Sequence, residues 1–220
     1  MLTRRQFIIA SASLLAASAV AGAAEPPFEK EINAFEEADR KMPPPQNAVL
    51  FVGSSTFRKW TQLQQDFPNE TVINRGFGGS TMADSVRYAR RIVIPYHPRK
   101  IVVYAGDNDL ANKKTPEEVL GDFKAFVEIV RPELPKTQIL YLSIKPSIAR
   151  WKLIDEIRKT NALIFEYTRT DEHLGFIDIF PLLLGDDGKP RKELLDPVDG
   201  LHMSRAGYLK CVPIIEPRIR

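Results

Sequence analysis

Cysteine is almost missing from this chain: Cys211 is the only one in 220 residues. An intrachain disulfide and a thiolate metal cluster are therefore excluded. Histidine is scarce as well, with His97, His173 and His202 as the full set, and they form no His-rich metal motif. Neither sign of charge is in excess. The formal net charge is +3, and removal of a leader carrying Arg4 and Arg5 leaves +3 − 2 = +1. No basic tract or aromatic-basic stripe stands out, which points away from nucleic acid as a partner. Internal repeats and long low-complexity linkers are also absent. Beyond the N-terminus, no apolar run is long enough to span a bilayer.

What is present suits one compact domain with a sizeable core: 44% of residues are hydrophobic and 27% charged. The N-terminus reads Thr3-Arg4-Arg5-Gln6-Phe7-Ile8, then an Ala/Ser-rich apolar run to Val20, then the small-x-small site Ala21-Gly22-Ala23. This has the shape of an export signal and resembles the twin-arginine class. The expected division is a cleaved signal peptide over 1–23, an N-terminal helix and Pro-rich linker over 24–46, and one domain over 47–220. The expected destination is the periplasm or beyond, without stable membrane insertion after cleavage. An uncleaved membrane anchor is the alternative reading of the leader.

Apolar runs alternate with amphipathic stretches. Val49–Val52, Thr71–Asn74, Lys100–Ala105, Thr137–Ile144 and Gly175–Ile179 read as strands, the first being apolar throughout, as in a strand buried on both faces. Helices are expected over Glu25–Lys41, from about Phe57 to Leu63, after Ser80 or Thr81, after Thr115-Pro116, over Ile148–Thr168, and from Ser204. This alternation argues for an α/β fold: a three-layer α/β/α sandwich on about five parallel strands in a doubly wound, flavodoxin-like order.

Three strands end in polar or glycine-rich loops that open on one edge of such a sheet: Gly53-Ser54-Ser55-Thr56, Arg75-Gly76-Phe77-Gly78-Gly79-Ser80 and Gly106-Asp107-Asn108-Asp109. A fourth loop, Asp196-Pro197-Val198-Asp199-Gly200-Leu201-His202, lies near the C-terminus. Acyl transfer needs a hydroxyl activated by a base, an acid that orients the base, and donors for an oxyanion. Ser55, His202 and Asp199 can fill the first three roles. The N–H groups of Ser55 and Gly79 and the Asn108 amide can donate to the oxyanion. Each residue also has a plainer reading. The hydroxyls can cap a helix, the glycines can form a tight turn, and Asn108 can be a turn residue. His202 can lie on a helix-entry surface, Asp107 and Asp109 can pair on a metal, and Asp196 rivals Asp199. No Lys-Ser/Thr pair follows the glycines, so a nucleotide loop does not fit. Ser54, Arg75, Lys145 and Trp151 are candidates for contact with substrate because they follow or flank strand ends.

Gly53-Ser54-Ser55, Asn74-Arg75-Gly76-Phe77-Gly78-Gly79, Gly106-Asp107-Asn108-Asp109 and Asp199-Gly200-Leu201-His202 together resemble the four blocks of the GDSL/SGNH hydrolase superfamily, in order, over about Asn47 to Tyr208. The sequence departs from that pattern at Ser54, where the family's name has Asp, and at Ser80, where Asp is common. The resemblance implies Ser55 as nucleophile rather than Ser54, His202 as base and Asp199 as its orienter. It further implies oxyanion donation by Ser55, Gly79 and Asn108, and neither metal nor organic cofactor. Phe57 stands where the G-x-S-x-G elbow requires Gly, so the α/β-hydrolase pattern is absent. The implied activity is hydrolysis of carboxylic esters: a small acyl ester, an acylated saccharide or a lipid. The missing apolar lid disfavours long chains. The second reading is a non-catalytic carbohydrate-binding or envelope-assembly protein that keeps the fold, prompted by Ser54 and Ser80. Oligomeric state is not legible.

Overall fold

The computed structural model describes residues 25–220, so the export-signal reading of 1–23 lies outside the described residues. Five strands form one parallel sheet: β1 (Val49–Gly53), β2 (Val72–Gly76), β3 (Lys100–Tyr104), β4 (Gln138–Leu142) and β5 (Leu174–Ile177). Their order is β2-β1-β3-β4-β5, the flavodoxin-like arrangement. Side chains along each central strand alternate between two apolar layers. Leu50, Val52, Ile101, Val103, Ile139 and Tyr141 enter one. Val49, Phe51, Val102, Tyr104, Leu140 and Leu142 enter the other.

Helices cover both faces. The first layer takes α1 (Glu29–Lys41), α4 (Met82–Ile92), α6 (Pro116–Val130) and α7 (Ile154–Thr168). The second takes the short α2 (Ser55–Arg58) and α3 (Leu63–Asp66) and the C-terminal α8 (Arg205–Ile219). A further short helix, α5 (Asp107–Ala111), follows β3. Local chemistry sets several starts. Thr81 accepts from the Asp84 N–H while the Asp84 side chain accepts from Thr81 N–H, a capping box for α4. Thr115 and Glu118 repeat the device at α6, with Pro116 at the first helical position. Helix α1 packs on α4 as part of the domain: Ile32 is fully buried, and Arg91 Nη1 and Nε reach Glu29 and Glu36 at 2.5 and 2.7 Å.

Two helices differ from the sequence expectation. The segment expected as a helix from Phe57 to Leu63 is broken into α2 and α3, because the Asn74 side chain takes the Phe57 carbonyl at 2.7 Å and reaches the Trp60 carbonyl at 3.4 Å. The helix expected from Ile148 begins only at Ile154, after a 3₁₀ turn at Trp151–Leu153. Upstream of it, the N–H groups of Ile148 and Ala149 donate to the Gly200 carbonyl at 3.0 and 3.1 Å, which holds this strap away from helical geometry.

Candidate active site

The parallel register aligns Gly53 with Gly76 and with Tyr104, so the chains leaving β1, β2 and β3 emerge side by side. Gly53 makes this exit possible. Its φ is +136°, and a Cβ there would lie 2.0 Å from the Tyr104 carbonyl oxygen. Ser54 N–H then donates to that carbonyl at 2.9 Å, and Ser55 becomes the first residue of α2.

Ser55 Oγ lies 2.9 Å from His202 Nε2, although 147 positions separate the two residues. His202 Nδ1 lies 2.5 Å from Asp199 Oδ2. An ionised carboxylate only accepts, so Nδ1 carries the proton and Nε2 presents its lone pair to the serine hydroxyl. The other Asp199 oxygen accepts the N–H groups of Leu201 and His202, each at 2.9 Å. Burial opposes ionisation of Asp199. The hydrogen bonds from the His202 ring and from the two N–H groups outweigh it and hold the carboxyl well below its ordinary range. Lys59 Nζ completes the cluster, 3.3 Å from Asp199 Oδ2 and 3.0 Å from His202 Nδ1.

Gly79 follows β2 with φ +86°, and open space surrounds the place a Cβ would occupy. The N–H groups of Ser55 and Gly79 have no acceptor among the described residues. Asn108 sits in the first turn of α5, where its Nδ2 donates to the Ser80 carbonyl at 2.9 Å and its Oδ1 accepts from Arg150 Nη2 at 2.7 Å. One Nδ2 proton is thereby used and the other stays available. A cleft of about 840 Å3 is lined by residues that include Arg58, Lys59, Trp60, Met203 and Tyr208; Lys59 links it to the Asp199–His202 pair, but neither Ser55 nor His202 lines it.

Other sequence candidates fall elsewhere. Ser54 is 1% exposed, and its Oγ has no partner among the described residues, so it offers no surface to substrate. Lys145 is equally buried, 3.7 Å from Asp107 Oδ2, beneath the loops rather than in a cleft. Arg75 is held against the first helix. It pairs with Asp39, donates to Tyr96 Oη at 2.8 Å and to the Asn74 carbonyl at 2.9 Å, and lies over the Phe35 and Tyr96 rings. The expectation of substrate contact at these three positions is corrected accordingly: their polar groups are enclosed or already committed. Trp151 remains half-exposed in its 3₁₀ turn. Asp196 makes a turn, accepting from Val198 N–H at 2.9 Å, and does not contact the imidazole. Asp109 caps α4 through Met82 N–H at 3.1 and 3.0 Å. Among the described residues, no group of three or more His, Cys, Asp or Glu side chains is arranged to hold a metal ion. Sequence reasoning passed over Lys59 and Arg150 and weighed Asp107 only as half of a metal pair. Arg150 lies between the candidates Lys145 and Trp151, but nothing in its spacing marks an arginine that reaches back to Asn108.

The arrangement can deprotonate a hydroxyl, hold the resulting imidazolium against a carboxylate, and offer N–H donors to a nearby anion. The family described as GDSL-like lipase/acylhydrolase matches residues 47–210. The alpha2 subunit of platelet-activating factor acetylhydrolase IB from Rattus norvegicus is 28% identical over 177 residues, covering 76% of this chain and 74% of that protein. Among solved structures, a Streptococcus pneumonia protein with a provisional platelet-activating-factor description superposes with TM-score 0.77 at 23% identity, over 87% of this chain and 92% of that one. A GDSL-like lipase from Bacteroides thetaiotaomicron gives TM-score 0.71 at 21% identity, over 86% of this chain and 96% of that one. At such identities the two structures speak to the fold alone.

Proposed function

This chain belongs to the GDSL-like lipase/acylhydrolase family, and on that premise we propose that it is a serine esterase for carboxylic esters with short acyl groups. The observation that carries the reading is the 2.9 Å contact between Ser55 Oγ and His202 Nε2, with the far ring nitrogen 2.5 Å from Asp199. Ser55 Oγ attacks the ester carbonyl as its proton passes to Nε2. Asp199 stabilises the imidazolium. The tetrahedral oxyanion takes hydrogen bonds from the N–H groups of Ser55 and Gly79 and from the free Asn108 amide proton. The imidazolium then protonates the departing alcohol, the C–O bond breaks, and an acyl-Ser55 ester remains. A water deprotonated by His202 attacks this ester, the second tetrahedral intermediate collapses, and the acid leaves as Ser55 regains its proton.

The name acetylhydrolase on the relatives supports an acetyl or similarly small acyl group, as in O-acetylated sugars or a simple lipid ester. No helix among the described residues is long and apolar enough to cross a membrane. The Arg4-Arg5 leader supports export to the periplasm by a twin-arginine route, with 1–23 removed and with α1, which packs on α4, retained alongside the catalytic residues of 47–220.

The test is a p-nitrophenyl acetate, butyrate and octanoate series, run beside intact mass after a serine-reactive phosphonate. Hydrolysis is expected to fall with chain length, and the adduct to map to Ser55. Ser55→Ala and His202→Ala should abolish turnover while the fold, read by circular dichroism, is kept. Unchanged turnover in purified Ser55→Ala overturns the reading. No turnover and no adduct in the unmodified protein would favour a non-catalytic binding role instead.

A further inference from the structure

Arg150 reaches the site from the strap between β4 and α7, and its guanidinium touches the first two residues of α5, which follows β3. Nη2 donates to Asn108 Oδ1 at 2.7 Å. Nη1 lies 2.9 Å from Asp107 Oδ1, off the line of a hydrogen bond, and is buried without an aligned acceptor. The side chain is 17% exposed. Asp107 itself faces a second basic group, Lys145 Nζ, at 3.7 Å. The strap is anchored at its other end. Ile148 and Ala149 donate to the carbonyl of Gly200, which lies between Asp199 and His202, and Ser147 Oγ accepts from Arg150 N–H at 3.3 Å. The guanidinium is thus delivered from a segment that also grips the loop carrying Asp199 and His202.

A carboxamide can sit in either of two orientations with almost the same shape. An arginine has donors only, so it accepts one orientation and rejects the other. With Nη2 on Oδ1, Asn108 must turn Nδ2 outward, where one proton meets the Ser80 carbonyl and the second remains free. Were the amide reversed, its N–H2 would face the guanidinium and its oxygen would face the oxyanion. A fixed positive charge on Oδ1 also polarises the amide, which makes the remaining N–H a stronger donor.

We propose that Arg150 is a positioning residue for ester hydrolysis: it sets the orientation of the Asn108 amide and polarises it, so that Nδ2 donates to the transition-state oxyanion. This rests on the esterase reading of Ser55. Its signature is energetic coupling to Asn108, expressed in kcat, where a merely structural arginine would act without regard to Asn108.

The experiment is a double-mutant cycle on the full chain with p-nitrophenyl acetate. Asn108→Ala should lower kcat about a hundredfold, the scale of one lost oxyanion donor. Arg150→Met should lower kcat about ten- to a hundredfold with KM within about threefold, because substrate itself is not released. In the Asn108→Ala background, Arg150→Met should cost less than about threefold, since the amide it served is gone. Arg150→Lys, which keeps the charge but not the fork, should recover part of kcat. Losses that multiply across the cycle overturn the proposal, as does a change confined to KM. Should Arg150→Met fail to fold by circular dichroism, the same cycle with Arg150→Lys decides: a loss that vanishes beside Asn108→Ala supports it, and a multiplying loss overturns it. Phosphonate labelling separates the two readings. Absent adduct and turnover in the unmodified protein sink the esterase reading and this one with it, whereas an active, labelled protein with independent losses sinks this one alone.

Discussion

Asp199→Asn is a sharp test of the proposed mechanism because its effect can be worked from distances. Asp199 accepts two backbone N–H groups on Oδ1 and the His202 ring on Oδ2. An asparagine can keep the backbone bonds with its own oxygen, so the loop should hold its shape. Its N–H2 then faces Nδ1 as a donor. Nδ1 must give up its proton to accept, and the proton moves to Nε2, which can no longer take one from Ser55. Lys59 reinforces the wrong tautomer, since its ammonium is already 3.0 Å from Nδ1 and would have lost its carboxylate partner. The lost charge adds a second penalty. Two unit charges about 4 Å apart attract by about 4 kcal/mol at an effective dielectric of 20 and about 1 kcal/mol in water. Asp199 is 32% exposed and His202 15%, so a value between these limits applies. Charge alone then accounts for roughly ten- to several hundredfold in kcat at 1.36 kcal/mol per decade. The tautomer raises the total to about a thousandfold or more. Initial rates on p-nitrophenyl acetate would measure it, with circular dichroism as the folding control. The double variant Asp199→Asn/Lys59→Met should recover some of the loss, because one of the two donors that favour the wrong tautomer is gone. A loss below about tenfold in Asp199→Asn would refute the assigned roles of both residues.

Arg75→Ala removes a guanidinium that pairs with Asp39, bonds Tyr96 and lies over two rings. Its expected cost is about 2–4 kcal/mol in urea unfolding, with kcat/KM unchanged at temperatures where the protein is folded. A large KM change instead would restore Arg75 as a substrate contact. Burial pushes the Cys211 thiol up to about 12, so 5,5′-dithiobis(2-nitrobenzoate) should not react with native protein at pH 8 and should react once it is unfolded in urea. The folded thiol keeps its proton where the unfolded chain, titrating near ~8.5, has lost it. The unfolded state then binds fewer protons, so this contribution falls as pH rises from ~8.5 toward 12. Between about pH 8.5 and 10, Cys211→Ala should show a flatter loss of stability than the unmodified protein, and equal slopes would count against the burial argument. Gly53→Ala should not yield folded protein in expression trials, because its Cβ would meet the Tyr104 carbonyl at 2.0 Å at a φ that L-residues avoid; a well-folded variant would show that the exit from β1 can relax.

The strands were legible because each of the central ones is buried on both faces, so runs such as Val49-Leu50-Phe51-Val52 carry no competing helical period. A helix start was legible at Thr115, where a cap precedes Pro116 and first-turn acids, and at Ser80 or Thr81, of which the structure uses Thr81. The two misread helices share the opposite cause. Asn74 breaks one and Gly200 delays the other, and both act from remote parts of the chain that no local window contains. The same reasoning sorts the residues of the site. Ser55, Gly79, Asn108, Asp199 and His202 stand in short blocks with turn-forming neighbours, so a block pattern can point at them. Lys59, Asp107 and Arg150 draw their significance from contacts across 140, 38 and 42 positions, and the strap that delivers Arg150 is shaped by a carbonyl beside His202. Charged groups of this kind are invisible to periodicity, because an arginine on a solvated turn and one buried against Asn108 occupy the same place in a pattern. Physical cost distinguishes them. A guanidinium enclosed to 17% exposure persists only where partners compensate its lost hydration. Here those partners are Asp107 and Asn108. That cost ties the strap, the α5 loop and the Asp199–His202 loop into one unit, in which displacing any of the three should disturb the other two.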